Sequence, residues 1–187
     1  PTSSGVVWTS GVVGQAARFN SASGAYGSVS HNPSIDITQK ITIAAWIRPN
    51  AVENKGILSK LSGNGFEFRI LSDGKLEFRI NRAASGTTYK LNSNQSYVAN
   101  GSTWTHVAVT FDGTKSTIYI NGVEDNSATY APVQIISNTA DLRIGAISTG
   151  NRWNGDLDDV RLYSRALTPS EIAALLITEA VPPPSAP

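Results

Sequence analysis

The chain of 187 residues contains no cysteine and no methionine. Without cysteine, disulfides, thiolate metal sites and cysteine nucleophiles are all excluded. Charged residues make up only 16% of the sequence and the formal net charge is +1, so no strong electrostatic field attracts nucleic acid or a membrane surface. No run of about 20 apolar residues is present, and the sequence therefore predicts no membrane-spanning helix. Secretion stays open, since a chain of this length can bury a core without covalent cross-links.

The last residues differ in composition from the rest of the chain. Residues 181–187 read VPPPSAP, which predicts a stiff, extended linker. We therefore expect one folded module over residues 1–178, a suitable length for a single β-sandwich, and a Pro-rich linker over residues 179–187. Because methionine and a signal-peptide pattern are both lacking, we expect a processed piece of a longer, multidomain protein.

The stretch over residues 104–124, WTHVAVTFDGTKSTIYINGVE, carries the clearest local pattern. Apolar and polar residues alternate along both of its arms, which is the period of a half-buried strand. Asp112-Gly113 supplies a turn between the arms, and Asn121-Gly122 is of the kind that favours a type I′ hairpin. Two strands and two turns in so short a stretch indicate antiparallel β structure.

The same alternation with intervening turn residues predicts further strands along the chain. They cover residues 14–19, 26–30, 40–48, 57–60, 66–71, 76–81, 87–91, 142–147 and 157–163, with an ambiguous stretch at 128–136 and a polar loop at 92–102. Thr168-Pro169-Ser170-Glu171 combines an N-cap threonine, a proline at the first helical position and a capping-box glutamate, which predicts one short helix. The sequence therefore predicts an all-β, two-sheet antiparallel sandwich with one short C-terminal helix.

Three segments resemble a known family. They are Ile41–Pro49, the hairpin over residues 104–122, and the stretch from Trp153 to Ile172. Their order and spacing are similar to those of the laminin-G-like family of the concanavalin A-like lectin/glucanase superfamily, in its bacterial, pentraxin-like branch. The resemblance covers roughly residues 12–177. It implies a jelly roll from a secreted or cell-surface bacterial protein, and it implies less about function, because this fold hosts lectins, glycosidases and adhesion domains.

The resemblance also implies a structural calcium ion. The family places Phe-Asp-Gly after an early strand and an aspartate before the last strand, whereas this chain has Phe19-Asn20-Ser21 and Asp158 at these positions. The Asn20 amide oxygen and the Asp158 carboxylate are both oxygen ligands that suit calcium. We expect these two residues to share the ion. In the alternative interpretation Asn20 is a turn residue and Asp158 is a hydrogen-bonded loop acid.

Enzymatic activity is not expected. Glycosidases need two carboxylates flanking the scissile bond, and the Glu-x-Asp-x-x-Glu motif of the catalytic jelly-roll families is lacking. Glu67 and Glu77 alternate with Arg69 and Arg79 on paired strands, which predicts cross-strand ion pairs instead. His106 is expected to be a strand residue with a satisfied ring nitrogen.

Aromatic side chains are the main candidates for binding a ligand. A glycan site needs exposed aromatic rings flanked by residues that hydrogen-bond to hydroxyl groups. Trp153 lies in a polar, glycine-bounded loop beside Asn151 and Arg152, and Tyr97 lies in another polar stretch. We therefore predict ligand contacts from Trp153, Arg152, Asn151 and Tyr97.

The expected function is that of a non-catalytic carbohydrate-binding or adhesion module of a larger extracellular protein. It would bind a polysaccharide by aromatic stacking and hydrogen bonds on a calcium-stabilised sandwich. The alternative is a structural or protein-interaction module without a glycan site. Expected partners are a glycan and neighbouring domains of the same chain, with no nucleic acid, no membrane insertion and a monomeric state. Trp104, His106 and Tyr119 should share the outer face of their sheet, which is either covered by other segments or part of a ligand platform.

Overall fold

A computed structural model describes residues 2–81, 89–148 and 150–177. Within these ranges the chain forms fourteen strands in two seven-stranded sheets, together with one α-helix. Neighbouring strands pair antiparallel throughout. The predicted all-β jelly-roll sandwich with a short C-terminal helix is confirmed. The predicted linker over residues 179–187 lies outside the described residues.

The two sheets draw their strands from distant parts of the sequence. In spatial order, the first sheet contains β1 (Thr2–Ser4), β4 (Tyr26–Val29), β13 (Leu142–Ile144), β6 (Lys55–Ser62), β7 (Asn64–Ile70), β8 (Lys75–Ile80) and β9 (Tyr89–Ser96). The second contains β12 (Val123–Thr129), β11 (Lys115–Ile120), β10 (Thr105–Phe111), β5 (Ile41–Pro49), β14 (Gly155–Tyr163), β3 (Gln15–Phe19) and β2 (Val7–Ser10). The order therefore places residues from both ends of the chain beside its middle.

Alternating apolar residues of both sheets form one core. On β10, Val107 lies opposite Ala45 and Val109 lies opposite Ile43, and all four side chains are at most 1% exposed. A buried apolar side chain of this size contributes about 1.5 to 3 kcal/mol relative to leaving it in water. The turns have the predicted chemistry, because Asn121 adopts the left-handed region with φ 49° that a type I′ turn requires.

The C-terminal helix α1 (Pro169–Ala174) covers part of the outer face of the second sheet. Its predicted capping box is confirmed, since the Thr168 side chain accepts from the Glu171 N–H and the Glu171 carboxylate accepts from the Thr168 N–H. Ile172 of the helix is fully buried against Ala44 and Tyr119. The part of this face around Tyr119 is thus covered by another segment of the chain, which was one of the two expectations for this face, and is not a ligand platform.

The strand predictions differ from the structure mainly at the sheet edges. β9 continues to Ser96 through residues predicted as a loop, and β12 occupies residues 123–129 instead of 128–136. Both strands are polar, and side-chain hydrogen bonds join them to each other at the edge of the sandwich. Asp125 Oδ2 accepts from the Asn94 N–H at 2.5 Å, and the Asn126 amide donates to the Asn92 carbonyl at 2.9 Å. Such contacts replace the apolar alternation on which sequence prediction depends.

Candidate functional site

Trp153 is a core residue, so its prediction as a ligand contact is wrong. Its side chain is 0% exposed and belongs to the main apolar cluster. The cause is that the inward and outward alternation of side chains on β14 continues into the residues before the strand. Leu157 points into the core, and Trp153 lies four residues earlier on the same side of the extended chain. A sugar cannot stack on a ring buried between the sheets.

Arg152, the neighbouring residue, lies at the surface of the first sheet. Its Cζ lies 4.2 Å from the centre of the Tyr26 ring, and the Cζ of Arg143 lies 4.8 Å from the same centre. Tyr26 begins β4, Arg143 is the middle residue of β13, and these strands are neighbours. All three side chains are half-buried. Cation–π contacts of this kind fix guanidinium planes near a surface.

Asn151 stays exposed beside this group. Its backbone has φ 45°, and its carbonyl accepts from the Gly56 N–H at 2.9 Å. Asn151 and Arg152 stay predicted ligand contacts, and the sequence did not suggest their neighbours Tyr26 and Arg143. Both missed residues lie in short strands whose pairing is not visible from periodicity. The one sequence feature that could have suggested Arg143 is a charged residue between two apolar ones in Leu142–Ile144.

Two shallow clefts lie next to Arg143 on the same sheet. One, of about 270 Å³, is lined by Leu61, Ala140, Asp141, Arg143 and Ser148. The other, of about 260 Å³, shares Leu61 and Ser148 and extends to the turn between β6 and β7. At ~30 Å³ for each water-sized group, each cleft is close to the size of one sugar ring. We name these clefts together with Tyr26, Arg143, Asn151 and Arg152 the arginine cleft.

Asp141 is the carboxylate of the arginine cleft. Its Oδ1 accepts from the His31 N–H at 3.2 Å, and its Oδ2 accepts from the Ser28 hydroxyl at 3.4 Å and from Arg143 Nη2 at 3.3 Å. This carboxylate therefore orients Arg143 while it also accepts from two neutral donors.

Tyr97 lies far from the arginine cleft. It follows β9, at the opposite edge of the first sheet from the β1–β4 edge. Its hydroxyl donates to the Thr103 carbonyl at 2.6 Å, and burial raises the pKa of this phenol. The ring lines a separate pocket of about 180 Å³ whose floor includes Leu76, Val107 and Ile120. The four predicted ligand residues therefore do not form one site.

The predicted calcium ligands have other partners. Asp158 Oδ2 accepts from the Val12 and Val13 N–H groups at 2.6 and 2.7 Å, and its Oδ1 accepts from the Asp159 N–H at 2.8 Å. Asn20 Oδ1 accepts from the Ala22 N–H at 3.0 Å. Each oxygen that was expected to bind the ion already accepts a hydrogen bond from backbone.

Geometry also separates the two residues. Phe19 pairs with Gly155, so Asn20 and Asp158 lie about four residues apart along paired strands, roughly 13 Å. This arrangement does not fit a calcium ion shared by the two residues, and calcium binding by the chain stays a prediction. Both residues instead match the alternative interpretation of a turn residue and a hydrogen-bonded acid. Among the described residues, no group of three or more His, Asp or Glu could hold a metal.

The predicted cross-strand ion pairs on β7 and β8 are confirmed. Arg69 Nη2 lies 2.5 Å from Glu77 Oε1, and Arg79 Nε lies 3.3 Å from Glu67 Oε1. Both glutamate side chains are at most 5% exposed. Both buried carboxylates therefore serve the packing of the sheet, because each is paired with a guanidinium group.

His106 lies on the outer face of the second sheet, edge-on to Trp46 with ring centres 5.3 Å apart. It is 2% exposed, and burial lowers its pKa to about 4, with Arg161 acting in the same direction and Asp159 opposing. Its Nδ1 has no hydrogen-bond partner within the part of the chain that the structure describes. The expectation of one satisfied ring nitrogen therefore stays a prediction for Nε2, and the depressed pKa leaves the imidazole neutral at pH 7.

Comparison with known proteins identifies the family. The sequence matches the Concanavalin A-like lectin/glucanases superfamily, in its laminin-G-like form, over residues 21–173. The chain belongs to this family, which confirms the resemblance found in the sequence. No helix among the described residues is both long enough and apolar enough to cross a membrane.

The relatives are long proteins of which this chain matches a small part. It is 26% identical over 170 residues to adhesion G-protein coupled receptor V1 of Danio rerio, covering 84% of this chain but only 3% of the receptor. The chain thus spans about 3% of the length of the curated relatives it matches.

Two solved structures share the fold. The binding domain of Paraclostridial Mosquitocidal Protein 1 has a TM-score of 0.77 and 22% identity, over 94% of this chain and 46% of that one. Domain 4 of AbnA, an extracellular arabinanase of Geobacillus stearothermophilus solved with arabinotriose, has a TM-score of 0.76 and 21% identity, over 92% of this chain and 82% of that one. At these identities the likeness extends to the fold alone.

Proposed function

We propose that this chain is a non-catalytic glycan-binding module of an extracellular protein and that it binds its ligand at the arginine cleft. The observation that carries the proposal is the placement of two guanidinium groups over one tyrosine ring, one of which, that of Arg143, lines a cleft of sugar-ring size. Concave sites with a few fixed polar groups are where proteins hold small polar ligands.

The residues of the cleft provide the chemistry that sugars require. Guanidinium groups held against an aromatic ring lose little freedom when they donate to a ligand. The Asp141 carboxylate accepts from hydroxyl groups, and the exposed Asn151 amide both donates and accepts. This mechanism replaces stacking on Trp153 by hydrogen bonding from arginines.

The carboxylates of the sandwich support a binding role over hydrolysis. Glu67 and Glu77 are held by arginines, Asp156 accepts from Arg18 and Arg48, and Asp158 accepts from backbone. A glycosidase needs two carboxyl groups facing each other across the substrate. The arabinotriose complex of AbnA domain 4 supports a glycan as the ligand class.

Affinity electrophoresis through gels that contain single polysaccharides tests the proposal. The panel contains arabinan, galactan, xylan, polygalacturonate and alginate. We expect retardation on at least one gel, and Arg152→Ala combined with Asn151→Ala should remove it. Arg165→Ala is the matched control, because Arg165 is exposed and pairs with Glu171 beside α1. Retardation that survives the double change, or none on any gel, would refute the proposal.

A protein-interaction module is the second candidate function. Val7 and Trp8 on β2 are 62% and 61% exposed, and β2 is the edge strand of its sheet. An exposed edge with large apolar side chains is a template for pairing with another chain. Sedimentation velocity at rising concentration, comparing the natural chain with Trp8→Ser, tests whether a second copy binds there. Association that Trp8→Ser abolishes would favour this function, and a concentration-independent monomer would count against it.

A further inference from the structure

We propose that the pocket of about 180 Å³ beside Tyr97 binds a small neutral compound with one six-membered apolar ring, such as a phenol. We name it the Tyr97 pocket. Its place and its ligand differ from those of the arginine cleft, so the inference goes beyond the proposed function and does not depend on it.

The Tyr97 pocket opens between the two sheets. Its floor consists of Leu76 from the first sheet and of Val107 and Ile120 from the second. Leu76 and Val107 are 2% and 1% exposed, so side chains of the core form this floor. Tyr97 and Val98 complete the apolar lining. A ring that enters the pocket therefore contacts the core itself, and the burial of apolar surface favours its binding.

The volume of the Tyr97 pocket matches a six-membered ring. At ~30 Å³ for each water-sized group, a volume of about 180 Å³ holds roughly six such groups. The two clefts of the arginine cleft are larger, at about 260 and 270 Å³. An apolar cavity of ~150 Å³ lined by aliphatic and aromatic side chains takes up benzene. A phenyl ring therefore fits the Tyr97 pocket, whereas a sugar ring with its hydroxyl groups exceeds it.

The lining of the pocket is uncharged. No charged side chain is among the described residues that line it, and its polar members are Gln95, Ser96, Thr105 and Asn121. Burial raises the pKa of Tyr97, so this phenol is also neutral at pH 7. A charged ligand group would lose water here without gaining a partner of opposite charge. The pocket therefore selects neutral ligands, and its polar residues can form a hydrogen bond with one hydroxyl group.

Hydrogen bonds hold both sides of the pocket in place. The Tyr97 N–H donates to the Gly74 carbonyl at 2.7 Å, and the Tyr97 hydroxyl donates to the Thr103 carbonyl at 2.6 Å. On the other side, the side-chain oxygen of Asn121 accepts from the His106 N–H at 3.0 Å. The pocket is thus preformed, and little further order has to be created when a ring binds.

Two-dimensional amide NMR with para-cresol as the probe tests the inference. We expect saturable shifts of the amide signals around the pocket, with those of Val98 and Asn121 among them. Para-hydroxybenzoate, which carries a carboxylate in place of the methyl group, should bind at least about tenfold more weakly, because its charge has no partner there. Methyl glucoside, a neutral sugar, should leave these signals unchanged.

Two matched variants locate the bound ring. Val98→Asp introduces a charge into the lining at a residue that is 76% exposed, so the chain should still fold while para-cresol binds at least about tenfold more weakly. Val7→Asp is the control, because Val7 is 62% exposed and lies on β2, at the far edge of the second sheet. Thermal melting of both variants verifies that they are folded.

Each outcome decides for or against the Tyr97 pocket. Saturable shifts at the pocket that Val98→Asp weakens and Val7→Asp retains would support it. Absent or scattered shifts, equal binding of para-hydroxybenzoate or methyl glucoside, or equal binding by the two variants would overturn it. The glycan gels that test the arginine cleft are a separate measurement, so either proposal can fail while the other stands.

Discussion

The outer faces of the two sheets are protected from water in different ways. On the second sheet, Ile172 of α1 packs against Ala44 and Tyr119, so the helix covers apolar residues that face outward. On the first sheet, the charged residues of β7 and β8 satisfy one another, and the clefts beside Arg143 stay open. A sealed apolar face serves stability, and an open polar face with fixed arginines can serve binding. The predictions below test this division.

Removing one member of the ion pairs on the first sheet should have the largest effect. Glu77→Ala leaves Arg69 and Arg79 with Glu67 as their one remaining carboxylate, in a site where Glu77 is 4% exposed. Breaking a buried pair from one side costs about 3 to 5 kcal/mol. Urea unfolding measures the loss. Glu124→Ala is the control, because Glu124 is exposed and lies 3.7 Å from Lys115; we expect a change within about 0.5 kcal/mol there.

Truncating the helix contact should expose the sealed face of the second sheet. Ile172→Ala should lower the free energy of unfolding by about 2 to 5 kcal/mol, the range for large-to-small changes at buried sites. Chemical denaturation monitored by tryptophan fluorescence measures it. Ala174→Ser, on the exposed side of α1, should cost only about 0.5 kcal/mol. If Ile172→Ala were as mild as this control, α1 would not be sealing the face.

Acid should weaken the second sheet through His106. Its pKa is about 4 in the folded chain and about 6.5 when unfolded. Above pH 6.5 the imidazole is neutral in both the folded and the unfolded chain, so His106 does not reduce the free energy of unfolding there. This free energy falls as pH drops towards 4, by about 3 kcal/mol in total.

The measurement for His106 is the difference between two pH profiles of unfolding free energy. His106→Gln cannot protonate, so its stability should fall less between pH 6.5 and 4 than that of the natural chain. The carboxylates titrate alike in both proteins and cancel in the difference. Parallel profiles would show that Asp159, which opposes the shift, compensates for burial.

Losing the helix cap should have a smaller effect. Thr168 Oγ1 accepts from the Glu171 N–H at 3.3 Å, and the glutamate carboxylate accepts from the Thr168 N–H at 2.8 Å. Thr168→Ala should cost about 1 kcal/mol, and Thr168→Ser should restore most of it. Thermal unfolding of the two variants compares them. A serine variant as unstable as the alanine variant would contradict the role of the hydroxyl.

Metal removal should have the smallest effect. Because the oxygens of Asn20 and Asp158 already accept backbone hydrogen bonds, we expect the same Tm in calcium and in EDTA. Differential scanning calorimetry checks this. A lower Tm in EDTA that Asp158→Asn abolishes would show that the carboxylate exchanges its backbone partners for an ion.

Much of the fold could be predicted from sequence because local chemistry specifies it. The hairpin of β10 and β11, the turn at Asn121 and the capping box at Thr168 each depend on residues close in the chain. The polar strands β9 and β12 could not be predicted in the same way. Their register depends on contacts such as Asp125 with Asn94, which join residues 31 positions apart.

The candidate site was only half predictable for the same reason. Asn151 and Arg152 were identified from their polar loop, but so was Trp153, which the continued alternation of β14 turns into the core. Tyr26 and Arg143 are 117 positions apart, and the pairing of β4 with β13 brings them together. Likewise Asn20 and Asp158 match a family pattern, yet the register of β3 and β14 separates them.

The sequence by itself determined the class of fold, the family, the hairpins, the short helix and the lack of cysteine chemistry. These follow from periodicity, turn residues and composition, which act over a few neighbouring positions. Only the tertiary structure decided which aromatic residues face solvent, which carboxylates are already held and which arginines meet. Those outcomes depend on strand order and register between distant segments, because a shift of one residue in an extended chain exchanges the buried face for the exposed one.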